Sequence, residues 1–157
     1  MHFWKYCGAG NDFVILENFD GSIAPERYAA LAAALCREHF SVGADGLMVL
    51  EPPAQGGDCR MRFYNRDGST AEMCGNGARC FALFAEHRGI GGETKFFDAA
   101  DGLHTARIRR LKGTSGEIEL GMIAVREIRT GDGWWFLNTG VPHYVEFVDD
   151  LEAVDVT

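Results

Sequence analysis

One cysteine, Cys74, stands immediately before a Gly-rich segment that is followed by a long apolar run. This order is typical of a helix that starts within the glycines, so Cys74 is expected at the helix N-terminus. There the unpaired backbone N–H groups and the helix dipole favour the thiolate form of a cysteine. Such a thiolate can take up and release protons at neutral pH. The same residues are also compatible with an ordinary Asn-Gly turn beside an unreactive thiol.

The residues around Cys74 suit an amino-acid substrate. Gly75 and Gly77 let backbone N–H groups approach a carboxylate closely. A carboxylate held there would place the substrate's α-carbon beside the Cys74 sulfur, and the same donors would stabilise the charge that forms as the α-proton leaves. Asn11, Asn65 and Asn76 lie in Gly-rich loops, and their amides can bind ammonium and carboxylate groups at once.

A metal site is not expected. Cys74 and Cys80 are six residues apart and do not share a helix face at the usual ligand spacing, and the nearby His87 has no paired motif. No Cys-x-x-Cys motif occurs among the five cysteines, so free thiols in a reducing compartment are expected.

Composition excludes several classes of function. The 157 residues carry a formal net charge of −8, and the basic residues are scattered, so a nucleic-acid partner is not expected. The densest basic run, Arg107 to Lys112, alternates with apolar residues as an exposed strand would. No stretch approaches the roughly 20 apolar residues that span a bilayer, and the N-terminus does not resemble a signal peptide. No membrane association and a cytoplasmic location are therefore expected.

Two helices are predicted. Pro25 to His39 is expected to be helical, because proline suits a first turn and apolar residues recur at helical spacing. The second helix is predicted to begin within Gly75-Asn76-Gly77 and to run to His87, with Gly89 ending it. This helix is apolar nearly all round, so it is expected to be a central, buried element.

Short strands account for most of the remaining chain. They are predicted at Phe13–Leu16, Asp45–Leu50, around Met61–Tyr64, at Lys95–Phe97, Leu103–Ile108 and Glu117–Leu120. Short strands with two helices predict an α+β fold, in which an antiparallel sheet wraps around a helix.

Gly121 is a candidate domain boundary. Residues 1–121 are predicted to form an N-terminal catalytic lobe, and residues 122–157 the incomplete beginning of a second lobe. In the second segment a hairpin is predicted from Val125–Arg129 and Trp134–Asn138, followed by a strand at Tyr144–Val148.

Four motifs occur in a distinctive order that covers nearly the whole chain. They are Lys5-Tyr6-Cys7-Gly8-Ala9-Gly10-Asn11-Asp12-Phe13, Gly43-Ala44-Asp45-Gly46-Leu47, Phe63-Tyr64-Asn65-Arg66-Asp67-Gly68-Ser69 and Cys74-Gly75-Asn76-Gly77-Ala78-Arg79-Cys80. Their sequence and spacing resemble the diaminopimelate epimerase family. The resemblance implies two similar lobes, each an antiparallel or mixed sheet around a central helix, with the active site between them. It also implies interconversion of LL- and meso-diaminopimelate without pyridoxal phosphate or a metal.

The resemblance assigns roles to individual residues. Cys74 matches the catalytic cysteine of the first lobe, and His143, in the Pro-His pair, matches a histidine thought to tune the thiols. The family's substrate-binding positions fall on Asn11, Asn65, Gly75 and Asn76.

The chain departs from the family pattern at three points. Cys7 replaces a usual histidine, and Val141 replaces a frequent asparagine. No cysteine follows Cys80, so the opposing thiol of the second lobe is missing. We therefore expect a truncated form or proteolytic remnant of a longer enzyme, silent as an epimerase when isolated.

Two alternatives stay open at this point. The chain could be a non-catalytic remnant that binds amino acids or carboxylates, which the missing cysteine favours. It could also be another isomerase of the same superfamily, but a proline racemase typically has histidine in place of Asn76 and a phenazine-pathway isomerase lacks the cysteine.

The family is often dimeric, so a homodimer is expected, although the sequence identifies no interface.

Overall fold

The computed structural model describes residues 1–125 and 127–155. The chain divides into two compact units, Met1–Met122 and Ile123–Thr157. Within the described ranges, no helix has the length and apolar character needed to cross a membrane.

The first unit contains seven strands and two α-helices. In chain order they are β1 (Trp4–Gly8), β2 (Asn11–Glu17), α1 (Tyr28–Leu35), β3 (Gly46–Glu51), β4 (Cys59–Asn65), α2 (Gly75–His87), β5 (Thr94–Ala99), β6 (Gly102–Lys112) and β7 (Ser115–Gly121). The strands form one sheet in the order β1-β2-β3-β4-β5-β6-β7. The β2–β3 and β4–β5 pairs are parallel and the others antiparallel, so the sheet is mixed rather than purely antiparallel.

Both faces of the central strands are buried. In β2, Phe13 and Ile15 belong to the core cluster that contains α2, whereas Val14 and Leu16 belong to the cluster that contains α1. Successive side chains of a strand point to opposite faces, so a continuous apolar run can serve two cores. This burial fixes the strand register, because a slip of one residue would exchange the two sets of side chains.

Helix α2 is central, as its apolar sequence predicted. Eight of its residues are buried, from Gly77 to Ala85. The helix contacts both edge strands, β1 and β7, as well as β2, β3 and β6, so the sheet curls around it. Its end at Gly89 is also confirmed: Gly89 adopts a φ of +69°, and the N–H of the next residue, Ile90, bonds back to the Ala85 carbonyl at 2.9 Å.

Helix α1 is shorter than predicted. A 3-10 turn covers Pro25–Arg27, and the α-helix ends at Leu35 instead of reaching His39. The carbonyls of Leu35 and Cys36 accept the N–H groups of Gly43 and Ala44, at 3.0 and 3.2 Å. The helix therefore ends where the returning chain satisfies its last carbonyls, a tertiary effect that local propensity does not reveal.

The basic run lies on β6, where it is exposed as expected. Each of its arginines meets a carboxylate: Arg107 bonds Glu93 at 2.6 Å, Arg110 bonds Glu117 at 3.1 Å, and Arg109 pairs with Glu119. Exposed ion pairs of this kind add little stability, but they leave no basic patch on this strand.

The second unit contains a three-stranded antiparallel sheet in the order β10-β9-β8. The strands are β8 (Ile128–Thr130), β9 (Trp134–Asn138) and β10 (Pro142–Glu146), and a 3-10 turn follows at Leu151–Ala153.

Two strand predictions for this unit need correction. The strand predicted at Val125–Arg129 starts only at Ile128, and its Arg126 lies outside the described residues. The last strand begins two residues earlier than predicted, at Pro142, because its first residue pairs with Asn138 across a short turn. The predicted strand Trp134–Asn138 is confirmed.

Candidate active site

Cys74 is the N-cap residue of α2, with φ −119° and ψ 115°. The first helical hydrogen bond runs from the Ala78 N–H to the Cys74 carbonyl, at 2.8 Å. Three N–H groups come before this first bond and have no carbonyl partner within the helix, those of Gly75, Asn76 and Gly77. The predicted helix start is confirmed, and the half-buried thiol lies where the helix presents its unpaired donors.

The strand register brings Asn11 and Asn65 to one end of the sheet. Asn11 is the first residue of β2, and two residues later Phe13 pairs with Gly46, the first residue of β3. Gly46 pairs in turn with Asn65, the last residue of β4. Two asparagines that are 54 positions apart in sequence thus lie at the same edge of neighbouring strands.

A hydrogen-bond chain joins this edge to the start of α2. The Asn76 amide nitrogen donates to Asn11 Oδ1 at 2.9 Å, and the Asn11 amide nitrogen donates to Asp45 Oδ2 at 3.0 Å. The structure therefore brings Asn11 and Asn76 into direct contact, next to Cys74 and Gly75 in the helix start.

Close packing at Gly8 allows this contact. A Cβ atom at Gly8 would lie 2.7 Å from the Cys80 sulfur and 3.2 Å from the Asn76 carbonyl oxygen. Only glycine lets the hairpin between β1 and β2 approach the first turn of α2 so closely. The buried Cys80 thus serves as packing beneath the loop that carries Asn11.

Asn65 is held by its own turn. Its amide nitrogen donates to Ser69 Oγ at 3.0 Å, and Ser69 Oγ donates to Asp67 Oδ1 at 2.6 Å. The Ser69 hydroxyl, and after it the Ser69 N–H, lower the pKa of Asp67. The Arg66 N–H donates to the Asp45 carbonyl at 3.2 Å, which attaches this turn to the loop before β3.

Asp45 is a further residue of the candidate site, one that the sequence motifs did not predict. It lies in the quoted Gly43–Leu47 motif, but nothing in the motif indicated that its carboxylate would bind Asn11. The Asn11 amide, and after it the Asp12 N–H, lower the pKa of Asp45. The Asp45 carboxylate therefore stabilises the folded state at pH values above the ordinary pKa of an aspartate. This stabilisation is lost as the pH falls through the lowered pKa.

The three buried thiols are poor candidates for acid/base chemistry. Burial raises the pKa of Cys36 and of Cys80 to about 11, and that of Cys59 to about 12, with smaller contributions from nearby carboxylates or thiols. Cys74 and Cys7 are the cysteines with solvent access. Within residues 1–125 and 127–155, no three His, Cys, Asp or Glu side chains are grouped as metal ligands would be.

This contrast predicts a labelling pattern. At neutral pH a thiol with a pKa of about 11 is ionised in only about one molecule in ten thousand, and iodoacetamide reacts with thiolate. Cys7 and Cys74 should be alkylated at least about tenfold faster than the three buried cysteines, as measured by peptide mass spectrometry. In denaturant all five should react. Native labelling of Cys59 or Cys80 at the rate of Cys7 would contradict these assignments.

His143 belongs to the second unit. Its Nδ1 lies 2.7 Å from the Val141 carbonyl and 3.4 Å from Thr139 Oγ1. The carbonyl contact requires a proton on Nδ1, so the imidazole orientation is fixed within its own loop. Its role toward Cys74 stays a prediction.

Comparison with known proteins gives one consistent result. A family model described as diaminopimelate epimerase matches residues 3–119. A protein named diaminopimelate epimerase from Flavobacterium psychrophilum is 43% identical over 156 residues, covering 99% of this chain and 59% of the relative. One of the same name from Aquifex aeolicus is 39% identical over 169 positions, covering 99% of this chain and 60% of the relative. The chain thus spans about 60% of the length of these curated relatives.

A solved structure supports the fold. The crystal structure of a PhzF-family phenazine biosynthesis protein from Bacillus anthracis matches with a TM-score of 0.71 and 16% identity, covering 96% of this chain and 56% of that protein. At this identity the likeness concerns the fold alone, and it confirms the predicted α+β class.

Proposed function

The chain belongs to the diaminopimelate epimerase family, and on that basis we propose that it supplies one half of a site that epimerises LL- and meso-diaminopimelate. The observation that carries the proposal is the position of Cys74 as N-cap of α2, beside the contacting amides of Asn76 and Asn11. Cys74 and Asn76 belong to the start of α2, and Asn11 of β2 contacts Asn76, an arrangement that supports an acid/base thiol beside a carboxylate-binding helix start.

In the proposed mechanism, the substrate carboxylate binds the unpaired N–H groups at Gly75 and Asn76. The Cys74 thiolate then removes the α-proton from one face of the α-carbon. As the proton leaves, negative charge spreads onto the carboxylate, where the N–H donors stabilise it.

Inversion requires a proton donor on the opposite face. A single thiol can remove a proton and return it to the same face, but it does not reach the other one. The chain spans about 60% of the length of its curated relatives, and we propose that the opposing thiol belongs to the part of the family's length that this sequence does not cover. Residues 123–157 would then form the beginning of the second lobe, and His143 would be the residue of that lobe that tunes the thiols.

The proposal includes the wider biology of the family. The reaction belongs to lysine biosynthesis, needs neither pyridoxal phosphate nor a metal in this mechanism, and would take place in the cytoplasm. Membership in a family that often forms dimers supports a homodimer.

A chimera tests the proposed function. Residues 1–122 of this chain are joined to the second lobe of the Flavobacterium psychrophilum relative, and conversion of LL- to meso-diaminopimelate is followed by chiral chromatography. We expect epimerisation by the chimera and none by the 157-residue chain. Robust inversion by the short chain alone would refute the mechanism of two opposed thiols. A chimera that folds and binds diaminopimelate without converting it would favour the non-catalytic binding function, which the missing cysteine already suggests.

A further inference from the structure

Asp45 connects the two asparagines of the candidate site to the loop before β3. Its Oδ2 accepts two hydrogen bonds at 3.0 Å, one from the Asn11 side-chain amide and one from the Asp12 N–H. Asn11 Oδ1 in turn accepts the Asn76 amide at 2.9 Å. The chain Asp45–Asn11–Asn76 therefore ends at the second residue of α2, two positions after Cys74.

The donor and acceptor properties of these groups fix the direction of the hydrogen bonds from Asn76 through Asn11 to Asp45. An ionised carboxylate only accepts hydrogen bonds, whereas a side-chain amide has one accepting end and one donating end. Asn11 must turn its NH2 group toward Asp45, which leaves its oxygen facing Asn76. Asn76 must then turn its own NH2 group toward Asn11, so its oxygen points away from Asn11. Reversing either amide would set two acceptors or two donors against each other.

The backbone of Asp45 extends this control to the third asparagine. The Asp45 N–H donates to the Asp12 carbonyl at 3.0 Å, and the Asp45 carbonyl accepts the Arg66 N–H at 3.2 Å. Arg66 follows Asn65 directly. Asp45 thus contacts the start of β2, which carries Asn11, and the turn that follows Asn65, and it reaches Asn76 of α2 through Asn11.

Nearby charge supports a stable carboxylate network at this end of the sheet. The neighbouring Asp12 is paired with Lys5 at 2.7 Å, and Lys5 Nζ also donates to the Gly43 carbonyl at 2.6 Å. Lys5 therefore satisfies Asp12 and the loop before Asp45, while Oδ2 of Asp45 is engaged by the amides.

We propose that Asp45 is a positioning residue: it orients the side-chain amide of Asn11 and, through it, that of Asn76, so that the Asn76 oxygen accepts the substrate ammonium group. The inference rests on the proposed function, because it assigns an amino-acid ligand to these amides. Asp45 acts through the asparagines and does not itself bind the ligand.

Two substitutions separate orientation from charge. Asp45→Ala removes the acceptor, so both amides lose their fixed direction. Asp45→Asn removes the charge but keeps an oxygen that can accept from both Asn11 and Asp12. Asp20→Ala is the matched control, because Asp20 is another exposed carboxylate that accepts a backbone N–H, from Ser22, in a loop away from the site.

The experiment uses the 157-residue chain and nitrogen-15 NMR of its side-chain amides, first alone and then titrated with meso-diaminopimelate. Circular dichroism checks that each variant folds. Asp45→Ala should shift the side-chain amide signal of Asn76, although residue 45 reaches Asn76 only through Asn11. It should also weaken diaminopimelate binding about tenfold, the effect of losing a hydrogen bond to a charged group. Asp45→Asn should restore the Asn76 signal and bind within about threefold of wild type. Asp20→Ala should change neither.

The outcomes distinguish the two proposals. If the wild-type chain does not bind diaminopimelate, the inference fails, because these amides then hold no amino-acid ligand; the proposed function is decided separately, by epimerisation in the chimera. If the wild type binds and Asp45→Ala leaves the Asn76 signal and the affinity unchanged, only the inference is overturned. It is also overturned if Asp45→Asn is as defective as Asp45→Ala, since charge rather than orientation would then be responsible. Should Asp45→Ala fail to fold, Asn11→Ala is used instead. It removes the acceptor of the Asn76 amide, and the side-chain amide signal of Asn76 must then shift.

Discussion

Replacing Cys74 with alanine in the chimera is expected to reduce kcat for epimerisation by a factor of about 10² to 10⁴, the range for loss of a positioned acid/base group. The N–H groups that we propose to bind the substrate belong to the backbone of Gly75 and Asn76 and persist in this variant. KM should therefore change much less than kcat, because the lost interaction is one made in the transition state. Steady-state kinetics by chiral chromatography measures both parameters.

Cys7→Ala is the matched control for this substitution. Cys7 also has solvent access, and it lies in β1 within the same unit as Cys74. A thiol that takes no part in proton transfer should leave kcat within about twofold. Equal losses from the two substitutions, or no loss from Cys74→Ala, would remove Cys74 from its assigned role.

Replacing Phe81 with alanine is expected to lower the free energy of unfolding by about 3–5 kcal/mol, the usual loss for truncating a buried aromatic residue. Phe81 is fully buried in α2, and its ring packs against Phe97 of β5 with centroids 5.5 Å apart. Truncation would leave a cavity between the central helix and the sheet that curls around it. Since a domain is stable by only about 5–15 kcal/mol, this is a large share.

Urea unfolding followed by far-ultraviolet circular dichroism measures the change, and Phe96→Ala provides the comparison. Phe96 is a β5 residue like Phe97, but its side chain is 42% exposed. Its truncation should therefore cost about 1 kcal/mol or less. If the two phenylalanine variants were equally destabilised, α2 would not be the centre of the core.

The sequence predicted α2 well because local signals agree with its tertiary environment. Its apolar residues are distributed all round the helix, its first turn is Gly-rich, and Gly89 ends it with a positive φ. The end of α1 could not be predicted in the same way. Its last carbonyls are satisfied by Gly43 and Ala44, which reach them only because the chain turns back to form β3.

The candidate site was predicted as a set of residues but not as a network. Asn11, Asn65 and Asn76 were identified from their motifs, whereas the link through Asp45 depends on the parallel pairing of β2 with β3. Pairing direction and register are tertiary features, set by which side chains each face of the sheet buries. For this reason the contact between Asn11 and Asp45 could not be predicted from the motifs in which the two residues lie.

The isotope content of the product tests the two-thiol mechanism most directly. The chimera is incubated with LL-diaminopimelate in deuterium oxide, and the reaction is stopped while little product has formed. Because the donor thiol on the opposite face carries deuterium from the solvent, the inverted α-carbon of the meso product should contain deuterium, while the unreacted substrate retains protium. Protium on the inverted carbon would show that a single group removes and returns the proton, and Cys74 would then have no opposing partner.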